Sequence, residues 1–476
     1  MAYNSANQYR CDIVRTRAMR KMEDLLPCYA EIIDDICPCS ETDFVVDFNA
    51  RLGAFLGKLG FPVNKKSLDN HRTETAKTLF GMYYIDSAGM VQASERTKNF
   101  LKDGDIPAFF KDFCYKLQFP NGMTKDKKLD DRIAKNLKIY PYRFLLEVLQ
   151  IADTKGMQLN IRELGYYVLN SLDVLQGKAT PGEVVRKIKN DQAKGIKNDI
   201  TVGPNRPYNW EHIEGLINYL YLANLITING RFRDAHERIV RLNNAENKTI
   251  HLFITDRKKV LGFDVSKYIK VLPSGLKKVI NKKQFQLDWD KYNGDVSLHY
   301  KDFYTLPSML GITAPKAPIV KANGKTTIIG ATGEAYVVDF EENRLNKINP
   351  AYVAYVKNRS AERGIGFDIE SVEAVGLSPM DKRYIEVKTT SRVSAPNPVS
   401  LPDSIVLTRN EMKAANDYPK EFCLYRVYLT RGNVYIYIIR DFVTKEKAGF
   451  IDVSAPSYEV KFDAASKSVV DEQIKV

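Results

Sequence analysis

The chain has 476 residues, of which 44% are hydrophobic, and it carries a formal net charge of +13. This length predicts about two to four domains with proper apolar cores. The basic excess favours a polyanionic partner such as DNA or RNA, although anionic membranes and solubility also explain basic proteins. Six cysteines in a chain this long indicate reduced thiols of a cytosolic protein rather than a disulfide framework. No run of about 18 apolar residues and no signal-peptide core is present, so we expect neither a membrane span nor a membrane partner.

The first part of the chain predicts helices followed by a small mixed subdomain. Apolar residues recur at helical spacing within 10–60. Residues 72–101 then predict a helix, a turn at Gly89, a short strand and a helix that begins near Thr97. This order occurs in winged-helix modules and also in other small helical subdomains, and both interpretations stay open. We assign residues 1–120 to a first helical or winged-helix DNA-binding domain.

Residues 121–250 repeat this theme more clearly and are assigned to a second helical or winged-helix DNA-binding domain. Four helices are predicted, the third of which begins after Pro181. Two apolar strands, 225–228 and 239–242, flank Asn229-Gly230-Arg231 and predict a hairpin-like wing with a basic tip. Basic residues of the third helix and of this wing are candidates for DNA contacts, although basic clusters usually form a solvated face. These candidates are Arg186, Lys187, Lys189 and Arg231.

Residues 251–325 show little periodicity and hold several basic clusters, so we interpret them as a connector. Within it, 313–318 (Thr-Ala-Pro-Lys-Ala-Pro) is typical of an exposed linker. The pattern then changes to helix, strand, strand, helix, strand, strand. A domain boundary is therefore expected near 320, with residues 326–476 forming a separate α/β domain.

Two predicted strands of this last domain bring charged residues together. Period-2 alternation places Glu386 and Lys388 on one face of the second strand, while Ile385 and Val387 lie on the other. Asp368 lies in the first strand, with enough chain between them for a turn and a paired neighbour. These strands can therefore form one cluster of carboxylates and an ammonium group. The alternative is a solvated strand pair with a salt bridge.

The chemistry of such a cluster suits phosphodiester hydrolysis assisted by Mg²⁺, which prefers carboxylate oxygens and keeps several waters. Asp368 and Glu386 would supply carboxylate oxygens, and Val387 a backbone carbonyl oxygen. Lys388 would position the attacking water and offset the developing negative charge. We therefore expect Mg²⁺ as the cofactor.

The pattern Gly366-Phe367-Asp368, followed after a spacer by Ile385-Glu386-Val387-Lys388, resembles the PD-(D/E)XK nuclease motif, with phenylalanine in place of its proline. Members of that superfamily often carry a glutamate in a preceding helix that points at the metals, and Glu334 matches this position. The alternative for Glu334 is a carboxylate on the helix surface.

Further segments extend the resemblance over about residues 330–450. After the motif come Leu407–Met412 and Leu424–Tyr428. This order is similar to the domain named after the C-terminus of the plant protein NO VEIN, which occurs in many bacterial restriction and defence proteins. Tandem DNA-binding modules followed by such a domain resemble type IIS-like restriction enzymes.

The resemblance implies a multidomain protein with α-rich winged-helix N-terminal domains plus a C-terminal α/β PD-(D/E)XK nuclease domain. It implies sequence-specific cleavage of double-stranded DNA in restriction-modification or antiphage defence, in the bacterial cytoplasm. The implied catalytic residues are Asp368, Glu386, Lys388 and Glu334. Cutting both strands further predicts at least a transient homodimer.

Two alternatives stay open. One is an endonuclease that depends on methylated bases, which an aromatic cage for a flipped base in the N-terminal half would favour. The other is a DNA-binding regulator that does not cut, with a nuclease-like domain of structural importance only. The intact set of two carboxylates and a lysine argues against this second alternative.

Overall fold

The computed structural model shows a helix-rich, multidomain chain with small sheets, in which separate apolar cores form before and after residues 304–324. Among the described residues, no helix combines the length and apolar character needed to cross a bilayer. The structure describes residues 7–10, 13, 22–58, 63–103, 105–123, 126–198, 206–229, 232–256, 262–271, 278–303, 325–362, 364–391, 403–430, 433–454, 458–462 and 472–475.

The part of the chain before residue 304 is mainly helical. Its longer helices begin at polar caps or at proline, as at Pro141 and Pro181. Its helices are α1 (Met22–Ile36), α2 (Glu41–Lys58), α3 (Lys65–Asn70), α4 (Glu95–Asp103), α5 (Ile106–Lys116), α6 (Asp126–Ala134), α7 (Pro141–Thr154), α8 (Ile161–Glu163), α9 (Leu172–Leu175), α10 (Pro181–Ala193), α11 (Arg206–Leu222), α12 (Asn247–Thr255) and α13 (Lys282–Gly294), with π-helical turns at His71–Leu79 and Leu164–Leu169. Its strands are β1 (Cys39–Ser40), β2 (Tyr83–Ile85), β3 (Met90–Ala93), β4 (Leu159–Asn160), β5 (Ile226–Asn229), β6 (Ile239–Leu242), β7 (Ile269–Val271) and β8 (Lys278–Ile280).

Aromatic rings form the centre of this part. The buried ring of Phe80 meets several others edge to face, an arrangement favoured by the ring quadrupoles. The centroid distances are 5.6 Å to Phe109, 5.7 Å to Phe113 and 5.9 Å to Tyr219. Because these rings come from several helices, they join distant parts of the sequence.

One apolar core extends from Ile13 to Phe303 and includes residues on both sides of positions 120 and 250. The boundaries expected at 120 and 250, and the winged-helix interpretation of these residues, remain predictions. A buried ion pair and a buried hydrogen bond also join distant segments within this core. The Nζ atom of Lys111 lies 2.8 Å from Glu246, and Asp112 accepts a hydrogen bond of 2.7 Å from the backbone N–H of Ser297.

The predicted strand pair at 226–242 is confirmed, but its connection differs from the expected tight turn. Strands β5 and β6 pair antiparallel from Ile226 with Leu242 to Asn229 with Ile239. Residues 232–237 form a 3₁₀ helix between them, so the Asn-Gly pair alone does not close the hairpin. The reason is packing, because His236 stacks on the buried Trp210 ring of α11 at a centroid distance of 3.2 Å. Gly230 and Arg231 lie outside the described residues.

The part of the chain from residue 325 is built on a six-stranded sheet in the order β17-β14-β13-β11-β10-β9, with β11 and β13 parallel and the other neighbours antiparallel. Its helices are α14 (Lys325–Ile348), α15 (Arg409–Asp417) and α16 (Phe442–Lys447), with a 3₁₀ turn at Pro350–Tyr355. Its strands are β9 (Lys357–Asn358), β10 (Ile369–Val372), β11 (Lys382–Ser391), β12 (Asp403–Leu407), β13 (Phe422–Thr430), β14 (Asn433–Arg440), β15 (Asp452–Ser454), β16 (Tyr458–Phe462) and β17 (Glu472–Lys475). The predicted order of helix and strand pairs is confirmed, with β9, β12, α16 and the last three strands in addition.

Helix α14 is held on this sheet by the buried carboxylate of Glu341. One of its oxygens accepts hydrogen bonds from Arg383 at 3.0 Å and from the Tyr425 hydroxyl at 2.7 Å. The other accepts from the Ser371 hydroxyl and from Arg344, each at 2.6 Å. Burial opposes the charge of Glu341, but the two guanidinium groups outweigh it and lower its pKa. This compensated network fixes the helix relative to the strands.

Candidate active site

The first site residue, Asp368, lies where β10 begins. Its backbone N–H donates to the carbonyl oxygen of Ile385 in β11 at 2.9 Å. Its side chain accepts a hydrogen bond of 2.8 Å from the backbone N–H of Val387. The carboxylate therefore occupies the edge of β11 just beyond the paired part of β10, where the register begins with Ile369 opposite Ile385.

Strand β11 alternates as the sequence predicts. Ile385 and Val387 belong to the apolar core beneath α14. Glu386 and Lys388 project from the opposite face, as the period of two requires. The Nζ atom of Lys388 lies 2.7 Å from Glu386 Oε1 and 3.0 Å from Glu411 Oε2. The lysine thus bridges two carboxylates, one of which comes from α15.

Helix α14 packs on the face of β11 that carries Ile385 and Val387, and its Glu334 lies close enough to Asp368 and Lys388 for their charges to interact. A Cβ atom on Gly333 would stand 1.8 Å from Thr389 Oγ1, so only glycine allows this approach. Burial raises the pKa of Glu334, and the nearby side chains of Ser360 and Asn358 oppose this shift. These two partners were missed from the sequence, since nothing in the local pattern around β9 indicates which helix it meets.

Burial, with crowding of like charges in addition, raises the pKa values of the acid groups of this cluster. Burial raises the pKa of Asp368 to about 7; Lys388 opposes the shift and Glu334 adds to it. The pKa of Glu386 rises well above its ordinary value through burial and the nearby carboxylates of Asp368 and Glu411. Burial would lower the pKa of Lys388, but the surrounding carboxylates outweigh it and raise that pKa. Several carboxyl groups therefore share one ammonium group, an imbalance that favours a further cation.

The donor set fits a hard divalent cation that retains water. The oxygens of Asp368 and Glu386, with the Val387 carbonyl, are of the type that Mg²⁺ prefers. Within the described ranges, no three acidic, histidine or cysteine side chains form a group ready to hold a metal ion. A site of two carboxylates, one carbonyl and several waters satisfies the preference of Mg²⁺ for oxygen ligands. It needs only two acidic side chains and therefore also agrees with the lack of a group of three among the described residues.

The additional carboxylate, Glu411, is fixed by the start of α15. Thr408 and Glu411 form a capping box, in which the Thr408 N–H donates to Glu411 Oε2 at 2.9 Å. The backbone of Asn410 packs against Gly366, where a Cβ atom would come within 2.2 Å of the Asn410 carbonyl oxygen. The pattern Thr-x-x-Glu indicates a helix start in the sequence, but it does not show that the glutamate faces Lys388.

Glu370 stands apart from this cluster. Its carboxylate pairs with Arg359 at 3.0 Å and also with Lys382. Although Glu370 is only two residues from Asp368, its carboxylate is already paired with these two basic side chains. Glu370 was not among the predicted site residues.

The candidate DNA-contacting residues of α10 lie on its exposed face. Arg186, Lys187 and Lys189 are exposed, while Val185 and Ile188 on the other face are buried. The fourth candidate, Arg231, lies outside the described residues. Nothing in the structure alone assigns these side chains to DNA.

Comparison with known proteins places this architecture in a family. A family model described as the N-terminal part of restriction endonuclease BpuJI matches residues 3–289, more than half of the chain. The chain belongs to this restriction endonuclease family. A second model, the C-terminal part of protein NO VEIN, matches residues 333–439 and includes the whole carboxylate–lysine cluster.

A solved structure resembles the part of the chain that matches the BpuJI family. It is a crystal structure of pyrene- and phenanthrene-modified DNA in complex with the BpuJ1 endonuclease binding domain. The sequences are 41% identical, the TM-score is 0.53, and the match covers 62% of this chain and all of the solved one. Among curated proteins, none matches the chain.

Proposed function

We propose that this protein is a restriction-type endonuclease that cleaves double-stranded DNA with Mg²⁺. The convergence of Asp368, Glu386 and Lys388 within the NO VEIN-like stretch carries the proposal. A PD-(D/E)XK nuclease needs this combination of two carboxylates and a lysine. The site follows a module of the BpuJI family, which supports a restriction enzyme over a nuclease of another class.

In this proposal the residues of the cluster have different roles in phosphodiester hydrolysis. Asp368, Glu386 and the Val387 carbonyl would hold Mg²⁺, which when bound would stabilise negative charge on the scissile phosphate. The Lys388 ammonium orients the attacking water and donates to the charged phosphate oxygens. Water adds to phosphorus in line as the bond to the 3′ oxygen breaks, leaving a 5′-phosphate and a 3′-hydroxyl.

The N-terminal half is proposed to bind the DNA. The similar BpuJ1 binding domain is described in complex with modified DNA, and its 41% identity extends over the whole of that domain. The exposed Arg186, Lys187 and Lys189 of α10 are suitable phosphate contacts. Such contacts position the protein, whereas base-edge contacts determine the sequence that it recognises.

One active site per chain cuts one strand at a time. Cleavage of both strands therefore requires a second copy of the chain or a second visit, and we propose a transient homodimer on DNA. We therefore expect the rate at which doubly cut DNA forms to rise more steeply than in proportion to the protein concentration. A monomer that only nicks the DNA would contradict this part of the proposal.

The experiment is cleavage of methylated and unmethylated phage DNA with Mg²⁺ or with a chelator. We compare the unaltered protein with Lys388→Ala and Asp368→Ala, and we measure DNA binding by each protein in Ca²⁺. The expected result is discrete fragments from the unaltered protein, with cleavage reduced by about 10³-fold or more in both variants, as losses of charged catalytic groups typically produce. Binding should be retained.

Each other outcome has a definite meaning. Cleavage of methylated DNA alone would identify a modification-dependent enzyme. Binding without cleavage by the unaltered protein on both DNAs would reject the nuclease and favour a regulator. Equal cleavage by Lys388→Ala would show that the cluster is not the active site.

A further inference from the structure

Lys388 is held from two directions, and only one of its partners belongs to the predicted catalytic motif. Glu386 lies two residues away on the same strand, while Glu411 reaches the ammonium group from α15. The carboxylate of Glu411 is largely buried, with 14% of its side chain exposed. An acidic group placed this closely against a partly buried ammonium group holds it by a charge-assisted hydrogen bond.

We infer that Glu411 is a positioning residue that keeps the Lys388 ammonium group directed into the active site. This inference rests on the proposed function and adds a residue to it. Glu411 acts through Lys388 and need not touch the substrate, since its contact is with Nζ at 3.0 Å.

The local structure makes Glu411 a rigid support. The oxygen that contacts Lys388, Oε2, also accepts the backbone N–H of Thr408, so it has a fixed place at the first turn of α15. In return, the backbone N–H of Glu411 donates to Thr408 Oγ1 at 3.3 Å. The close packing of Gly366 against Asn410 fixes this turn relative to the segment that carries Asp368.

The contact of Glu411 with Lys388 matters for the proposed reaction because it directs the ammonium group. Lysine has a long, flexible side chain whose ammonium group is a point charge without a preferred direction. If Glu386 binds a divalent cation, its oxygens are shared with that cation and hold Lys388 less strongly. Glu411 would not share its oxygens with the cation in this way, so its contact would keep the Lys388 Nζ atom near the scissile phosphate.

A simple structural role is the competing explanation, because a capping box stabilises a helix wherever it occurs. Glu411→Gln separates the two roles. The amide oxygen of glutamine can still accept the Thr408 N–H, but the side chain no longer carries a negative charge for Lys388. Asp417→Asn is the matched control, since Asp417 is an acidic residue of the same helix that pairs with Lys413 at the surface.

The test measures turnover and lysine reactivity in the full-length protein. For Glu411→Gln we expect kcat for DNA cleavage to fall about 10- to 100-fold, as loss of an outer partner commonly does, with KM for DNA changed less than about threefold. Labelling of metal-free protein with an amine reagent, read by peptide mass spectrometry, should modify Lys388 several-fold faster in this variant. Asp417→Asn should match the unaltered protein in both measurements.

Unchanged kcat together with unchanged Lys388 labelling in a folded Glu411→Gln protein would overturn the inference and leave only the helix cap. If that variant fails to fold, Glu411→Asp, which keeps the charge and the bond from its backbone N–H to Thr408 Oγ1, should fold and retain slow Lys388 labelling. Fast labelling in Glu411→Asp would count against the inference. Faster labelling of Lys388 in Glu411→Gln, in a protein that cuts no DNA, would support the contact while rejecting the proposed nuclease.

Discussion

Two clusters of charged residues in the C-terminal domain use the same kinds of side chain to opposite effect. Around Glu341, the guanidinium groups of Arg344 and Arg383 compensate the buried carboxylate, and its pKa is lowered. Around Asp368, burial together with the carboxylates of Glu334 and Glu411 outweighs the Lys388 ammonium group, and the pKa of Asp368 is raised to about 7. Folding therefore favours the charged form of the first carboxylate and disfavours that of the second. The balance of charge distinguishes a cluster that holds the fold from one that, in our proposal, receives a cation.

The largest effect that tests this comparison is expected at Glu341. Glu341→Ala leaves the buried Arg383 and the Tyr425 hydroxyl without their shared acceptor, and should reduce the free energy of unfolding by about 3–5 kcal/mol. Chemical denaturation followed by circular dichroism measures this loss. A loss below about 1 kcal/mol would show that the network is dispensable, and the contrast between the two clusters would fail.

A smaller effect is expected at Gly333, where α14 closely approaches β11, the strand that carries Glu386 and Lys388. Gly333→Ala places a methyl group against the β-branched Thr389. This overpacking should cost about 1–3 kcal/mol and should displace Glu334, despite a gain in helix propensity of about 1 kcal/mol.

Gly330→Ala is the control for this change, because the same helix has open space at that position. It should leave stability unchanged or raise it by up to about 1 kcal/mol, since alanine is the better helix former. Equal thermal melting curves for the two alanine variants would show that α14 does not depend on the close approach to β11.

The smallest effect has the opposite sign and concerns Asp368. In metal-free protein, Asp368→Asn removes one charge from the crowded carboxylates and keeps an oxygen that can accept the Val387 N–H. Stability should therefore rise by about 0.5–2 kcal/mol, as at other sites where function conflicts with stability. The same denaturation experiment measures it, with Asp417→Asn as the surface reference expected within about 0.5 kcal/mol of the unaltered protein. A marked loss of stability would show that the Asp368 charge supports the fold.

The sequence predicts this domain well where local rules decide the outcome. Alternation along β11 places Ile385 and Val387 in the core and Glu386 and Lys388 opposite, and both assignments are confirmed. The period of a strand is a property of neighbouring residues, so one sequence is enough to read it. Whether these residues are catalytic stays a prediction.

Other features depend on contacts between distant segments and were not predictable in this way. Glu411 faces Lys388 only because α15 packs where it does, and the 3₁₀ turn at 232–237 depends on the stacking of His236 on Trp210. Likewise, one core in the N-terminal half extends across the boundary expected at 120. Hydrophobic periodicity identifies helices but does not show which of them pack together.

The hydrogen bond from the Val387 N–H to Asp368 suggests a useful variant of the proposed enzyme. Since asparagine can accept the same bond, Asp368→Asn separates the shape of the site from its negative charge. Such a protein can serve as a substrate trap that retains DNA without cutting it. Sequencing the DNA that it captures from a fragmented genome would then identify the recognition sequence directly.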